Sequence, residues 1–233
     1  MLNWTVVYLF LTTLLFGYLC GNVHGAFIIG KIFTKKDIRQ FGSGNSGTTN
    51  ALRVFGLKLA APTFIIDVSK ALFPVLYAAS IASWMLSFIG CTSINCFDEE
   101  TNVALKVVMA IGCIFGHNYP FLLKFKGGKG IACTIGISFA INWIAGICVA
   151  CSIALIILIT RYVSLSSIIT AILIPFLYYF VPIGYSGCGS FMNEKLLILG
   201  LIICVSAIYR HRSNIARLKA GTESKFGEKA KVN

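Results

Sequence analysis

Apolar residues gather along the chain into long, nearly unbroken runs at 4–20, about 60–89, 103–123, 131–160, 162–182 and 196–209. Several of these reach the roughly 20 residues that a helix needs to cross a hydrocarbon core. The run 131–160 is too long for one span and carries Asn142 and Trp143 near its middle, so the pattern predicts two short helices joined by a tight turn there. The expectation is an all-α, polytopic integral membrane protein of seven transmembrane helices, forming a single domain over residues 1–233. No internal repeat, low-complexity tract or interdomain linker interrupts that pattern.

Polar positions supply the orientation. The first run has no basic residue ahead of it, whereas Lys31, Lys35, Lys36 and Arg39 follow it, so it is expected to remain attached with its amino end outside. Apart from Lys70, Lys106 and Lys195, all 20 lysines and arginines fall at 31–58, 124–129, 161 and 210–231, which the positive-inside rule assigns to the cytoplasm. The carboxyl end should therefore be cytoplasmic. Composition agrees: with 57% hydrophobic residues, the chain carries more apolar surface than a soluble core of this length can bury. The net charge of +12 becomes chiefly a topology signal that also attracts anionic lipids and substrates, and no nucleic-acid partner is expected. Most of the nine cysteines lie inside apolar runs, where they pack as small hydrophobes, and no metal site or metal-binding cysteine spacing is expected. Cys91, Cys96 and Cys188 fall in predicted outer loops, which leaves a Cys91–Cys96 disulfide open.

Four segments assigned to the cytoplasmic side share an unusual composition: GSGNSGTTNALR (42–53), GHNYPFLLKFKGGKG (116–130), RYVSLSS (161–167) and YRHRSNIARLKAGTESK (209–225). Glycines expose backbone N–H groups, Ser and Thr add hydroxyl donors, and Lys and Arg add charge, so together they suit a ligand that carries phosphate. Residues 42–47 spell G-x-G-x-x-G, but no strand precedes them and no βαβ unit surrounds them, which excludes a dinucleotide fold. GGKG at 127–130 is no Walker A loop, because Gly130 follows Lys129 and Leu123 stands where the first glycine belongs. A G-x-S-x-G elbow is lacking, and the residues five after the three histidines are Ile29, Leu122 and Ala216, so no H-x-x-x-x-D arrangement exists.

At GSGNSGTTN, PTFIIDVSK, GHNYPFLLKFKGGKGIA, RYVSLSS and HRSNIARLKAGTESK, the sequence resembles the bacterial acyl-phosphate:glycerol-3-phosphate acyltransferases, with the five segments in that family's order. Thr48 and Tyr119 depart from the residues usual there, which are Ala and Phe. The resemblance implies transfer of a fatty acyl group from acyl phosphate, not from acyl-CoA or acyl carrier protein, to the 1-hydroxyl of glycerol 3-phosphate. The products would be lysophosphatidic acid and phosphate, in the first acylation step of phospholipid synthesis. It further implies glycerol 3-phosphate, acyl phosphate and membrane lipid as partners, a link to the enzyme that makes acyl phosphate, no cofactor, and a location in the bacterial inner membrane with the site facing the cytoplasm. A second reading stays open on the residues alone: a transporter or anion-binding membrane protein, since polar segments at one end of a bundle also suit a gate.

Residue by residue, Lys129 and Arg53 are expected to clamp phosphate, with Gly127, Gly128 and Gly130 giving close backbone approach. Ser43, Asn45, Gly47, Thr48, Thr49 and Asn50 should supply neutral donors. Arg161, Ser164 and Ser166 open the sixth span and suit an anion. His211, Asn214 and Arg217, at i, i+3 and i+6, are expected on adjoining parts of one face if the last span continues as a helix. Lys129, Arg53, Ser164, His211 and Asn214 form the catalytic set, while His117 is balanced between substrate contact and a buried structural role. Glu223 is expected to order its neighbours, and Asp67 and Lys70 to pair inside a span.

Overall fold

The computed structural model describes residues 4–90, 97–180 and 190–228, and all regular structure among them is helical. In chain order the helices are α1 (Trp4–Gly21), α2 (Gly25–Ile29), α3 (Thr48–Phe55), α4 (Leu57–Leu76), α5 (Ala78–Ser87), α6 (Glu99–Asn118), α7 (Ile131–Ile141), α8 (Trp143–Thr160), α9 (Val163–Phe180), α10 (Ser190–Arg210) and α11 (Arg212–Lys219). Short π and 3-10 turns occupy Gly30–Thr34, Ile38–Gln40 and Phe121–Leu123.

Among the described residues, five helical stretches are long and apolar enough to cross a membrane, and a sixth arises if α10 and α11, bent by 58° at His211, count as one broken span. Two shorter apolar helices, Ala78–Ser87 and Ile131–Ile141, accompany them; the second is one of the two short helices expected in 131–160. The run at about 60–89 is two helices broken at Tyr77. Near that break Pro74 has no N–H to give Lys70 O, and the Cys113 thiol lies 3.9 Å from the same carbonyl. The turn expected in 131–160 falls at Asn142, which ends α7 and caps α8 by accepting from Ile144 N at 2.7 Å and Ala145 N at 3.2 Å. α6 begins under Asp98, whose carboxylate accepts from Thr101 N at 2.8 Å. The last span does not run on as a straight helix through Arg217, because the chain bends by 58° between α10 and α11.

The expectation of no paired cysteine spacing overlooks Cys148 and Cys151, which stand as C-x-x-C on α8. Both are free thiols, and no group of three or more metal-binding side chains occurs among the described residues. Cys91, Cys96 and Cys188 lie outside the described residues.

Packing places the ends of α1, α4 and α6 together. Small residues let α1 and α6 approach until backbone meets backbone, as in membrane helix pairs that lack a hydrophobic driving force between them. A Cβ on Gly116 would stand 2.1 Å from Tyr18 O. That contact fixes the next residue, His117, at the end of α6, where the functional side chains collect. The core between the helices includes Met109, Cys113, Ile137, Ile174 and Leu199, whereas Trp4, Phe73, Trp84, Leu158 and Val205 face outward. Replacing Gly116 by Ala should separate α1 from α6 and lower stability by about 1–3 kcal/mol, read as an earlier thermal unfolding midpoint in detergent.

Candidate active site

The loop ahead of α3 is shaped by one side chain. Asn50 Nδ2 donates to the carbonyls of Ile38 (3.2 Å), Phe41 (3.0 Å) and Asn45 (2.9 Å), and its Oδ1 accepts from Ser43 N at 2.9 Å. Gly42 lies against that amide with φ +60°, where a Cβ would come within 2.3 Å of Asn50 Oδ1. Segment 41–47 is thus a defined turn wound around Asn50. It leads into α3 at Gly47 with no side-chain cap, leaving the first N–H groups of the helix open.

A second glycine segment packs beside it. Gly128 N donates to His117 O at 3.0 Å, and a Cβ on Gly128 would strike His117 Nε2 at 2.0 Å, so glycine is required for the imidazole to lie there. Arg210 holds the other edge, donating from Nε to Gly128 O and from Nη2 to Gly127 O, both at 2.9 Å, while its guanidinium stacks on Tyr119. Gly127 and Gly128 therefore serve packing. Arg210, which sequence reasoning missed, is their clamp. Its visible signal was its place beside His211 in YRHR.

Lys129, projecting from this segment, donates from Nζ to Asn214 Oδ1 on α11. Asn214 Nδ2 donates in turn to Glu223 Oε1 at 2.7 Å, and Glu223 Oε2 accepts from Arg217 Nε at 2.7 Å. Burial pushes the Lys129 ammonium down to about 8, a shift that Glu223 opposes and the charges of Arg217, Arg53 and Arg210 reinforce. Burial acts to raise Glu223, but hydrogen bonds from Asn214 and Arg217 and the charge of Arg217 hold it below the usual carboxylate range. Beyond Glu223 the chain crosses back over the bundle: Arg53 Nη2 donates to Ser224 O at 3.3 Å and Phe226 N to Arg161 O at 2.6 Å.

These pieces enclose a cavity of about 430 Å³. Its lining combines polar and cationic side chains with an apolar set from α4, α7 and α8: Leu57, Phe64, Ile135, Ile153 and Ile157. Of the expected residues, Ser43, Asn45, Gly47, Thr48, Thr49, Asn50, Arg53, His117, Lys129, Gly130, Ser164, His211, Asn214 and Glu223 line it. Arg217 and Gly127 line an adjoining cavity of about 320 Å³ that shares Ser43, Asn45 and Lys129 with the first and adds Lys126, Arg210 and Arg212. Gly128 lies behind His117, while Arg161 is exposed outside both cavities and Ser166 turns its hydroxyl back to Val163 O at 2.8 Å. Ser167, on the same turn of α9, lines the cavity, although its hydroxyl also donates to Val163 O, at 2.7 Å. Of the polar lining residues, Thr48 and Ser164 have hydroxyl oxygens that are buried without a hydrogen-bond partner.

Cationic side chains, an uncapped helix start and apolar helix faces surround one chamber in a helical membrane protein, an arrangement chemically suited to an anionic amphiphile. Over residues 11–221 the chain matches the family described as glycerol-3-phosphate acyltransferase, and it belongs to that family. A glycerol-3-phosphate acyltransferase of Alkaliphilus metalliredigens (strain QYMF) is 40% identical, covering 95% of this chain and 98% of the relative. One of Thermoanaerobacter pseudethanolicus is 37% identical over 94% and 97%. Two crystal structures of PlsY (YgiH), an integral membrane glycerol 3-phosphate acyltransferase, are 31% identical to this chain and cover 94% of it. The glycerol 3-phosphate form has a TM-score of 0.74 with 96% of that chain covered, and the lysophosphatidic acid form 0.72 with 95%.

Glu223→Gln should cost about 1–2 kcal/mol in detergent unfolding at neutral pH, since it removes a charge held by Arg217 and Asn214. Because the folded-state pKa is depressed, that stabilisation is present above the ordinary carboxylate range and is lost as the pH falls through the folded value. Wild type and variant should therefore converge in acid.

Proposed function

We propose that this protein transfers the acyl group of an acyl phosphate to the 1-hydroxyl of glycerol 3-phosphate, releasing lysophosphatidic acid and phosphate. The observation that carries this reading is one chamber lined both by cationic and donor groups and by apolar helix faces, which matches substrates that each carry phosphate, one with a long chain. No observation favours a transporter. The enzyme would sit in the bacterial inner membrane with seven crossings, α7 being a short one, its amino end outside and its chamber and carboxyl end on the cytoplasmic side. The lysines and arginines around the chamber support that orientation. Substrate would arrive from an enzyme that makes acyl phosphate, and product would leave into lipid.

An acyl phosphate is already an activated mixed anhydride, so alignment and charge stabilisation suffice without a covalent enzyme intermediate. Lys129 and Arg53, with the open N–H groups at the start of α3, receive phosphate. The unpartnered hydroxyls of Thr48 and Ser164 supply donors to phosphate or to the tetrahedral oxyanion. Of the two buried histidines on the cavity wall, His211 suits the base. Its Nδ1 lies 2.7 Å from Ala207 O and so carries the proton, leaving the Nε2 lone pair free. His117 accepts at Nδ1 from Lys70 Nζ at 2.8 Å, which places its proton on Nε2 against Gly128 and gives it a supporting role. The acceptor oxygen bonds to the acyl carbon as its proton passes to His211, the carbon–oxygen bond to phosphate breaks, and the proton leaves on phosphate. Arg161 would act from outside by holding the segment that carries Glu223 and Phe226.

Purified protein should release phosphate from a synthetic acyl phosphate only when glycerol 3-phosphate is present, and should form no product from acyl-CoA; release without acceptor, or acyl-CoA turnover, overturns the assignment. Lys129→Ala should cut kcat/KM by about 10- to 100-fold. Because Lys129 is charged below about pH 8 and neutral above it, KM for phosphate substrates should climb as the pH passes that value. Lys129→Arg, which stays charged, should delay the climb.

A further inference from the structure

Among the described residues, two acids line the main cavity, and they differ in what they leave free. Both oxygens of Glu223 are taken, by Asn214 and Arg217. Asp67, on α4, is 1% exposed, and its Oδ1 accepts from Gly25 N at 3.3 Å and pairs with Lys70 Nζ at 3.0 Å. Its Oδ2 has no partner. Lys70 cannot turn to serve it, since the ammonium also donates to Val23 O and to His117 Nδ1. Around this corner the fold is held tightly: His117 stacks on His24 with centroids 4.8 Å apart, and His24 Nδ1 lies 3.1 Å from Ser46 Oγ in the first glycine loop. The carboxylate is thus aligned by a buried scaffold.

An ionised carboxylate only accepts, so its partner must be a donor, and a phosphate dianion would be repelled. Leaving such an oxygen buried and unpaired is costly, which marks the position as one that a ligand completes. Thr48 Oγ1 and Ser164 Oγ, the other unpartnered atoms on this wall, are hydroxyls that suit phosphate. Of the groups carried by the two proposed substrates, only the glycerol hydroxyls can donate to Asp67.

We propose that Asp67 is a catalytic-site contact for the acceptor, receiving a hydroxyl of glycerol 3-phosphate on Oδ2, while Lys70 and Gly25 N fix the carboxylate through Oδ1. This rests on the acyl-acceptor reading above. The carboxylate then selects a polyol phosphate over phosphates without hydroxyls, and it orients the glycerol relative to the acyl carbon.

A ligand-by-variant cycle tests it. Titration calorimetry on detergent-purified wild type and Asp67→Asn measures glycerol 3-phosphate and propyl phosphate, which has the phosphate but neither hydroxyl. Asp67→Asn should weaken glycerol 3-phosphate by about tenfold or more and leave propyl phosphate unchanged or tighter. Equal effects on both ligands, or none on glycerol 3-phosphate, overturn the inference. If Asp67→Asn alone gives no monodisperse folded protein, the double variant Asp67→Asn, Lys70→Gln removes both buried charges together and is scored by the same criterion. Wild type that turns over acyl phosphate with glycerol 3-phosphate but fails the cycle overturns this inference alone. Wild type with no such turnover overturns the acyl-acceptor reading, and this inference with it.

Discussion

The close seat of His117 against Gly128 is the contact on which the site depends. On one side, Lys70 fixes the ring through Nδ1 and is itself fixed by Asp67 and Val23 O. On the other, the main chain of the second glycine segment closes onto His117 O. Stacking onto His24, and through it contact with Ser46, brings in the first glycine loop. Two loops separated by some eighty residues of sequence are thus registered to one buried imidazole pair, which the membrane environment makes hard to rearrange because an unsatisfied polar group there has no water to turn to.

Charge in the chamber is arranged in the opposite sense to ordinary surface pairs. Arg39 at the periphery is neutralised by Asp37 at 2.7 Å, a pairing that depresses the Asp37 carboxyl and elevates the guanidinium. Lys129, in contrast, meets a neutral amide first and Glu223 only through it. Its positive charge is therefore held back from full compensation. A buried ammonium left short of a counter-ion favours an arriving anion more than a salt-bridged one would.

Much of this was legible in the sequence because hydropathy and composition are one-dimensional signals. The apolar runs gave helices, Asn142 gave a break, and the four glycine- and cation-rich segments came together with Lys129, Arg53, Thr48 and Ser164 on one wall. What was hidden depends on direction. Arg161 looked like an anion ligand because it ends an apolar run, but a left-handed backbone at φ +61° turns that residue outward. Asn50 looked like a donor to substrate, yet its amide is spent on its own loop, a role set by where residues 38, 41 and 45 fold back. Asp67 looked like half of an ion pair; that the pair uses one oxygen and leaves the other buried and unpartnered, in a residue that lines the cavity, cannot be inferred from i, i+3 spacing. Whether the last span continues past His211 is not legible, because neither Pro nor Gly marks the bend there.

The segment after α11 has a consequence for assembly. Glu223 and Phe226 form part of the chamber wall although they follow every helix among the described residues, and their segment is tied to α3 and to the start of α9 by Arg53 and Arg161. As the chain is synthesised and its helices enter the bilayer one after another, no closed reaction chamber exists until these residues have been made and have folded back. A reactive anhydride would thus meet an organised site only on a fully inserted bundle, so that chemical competence is coupled in time to completed insertion.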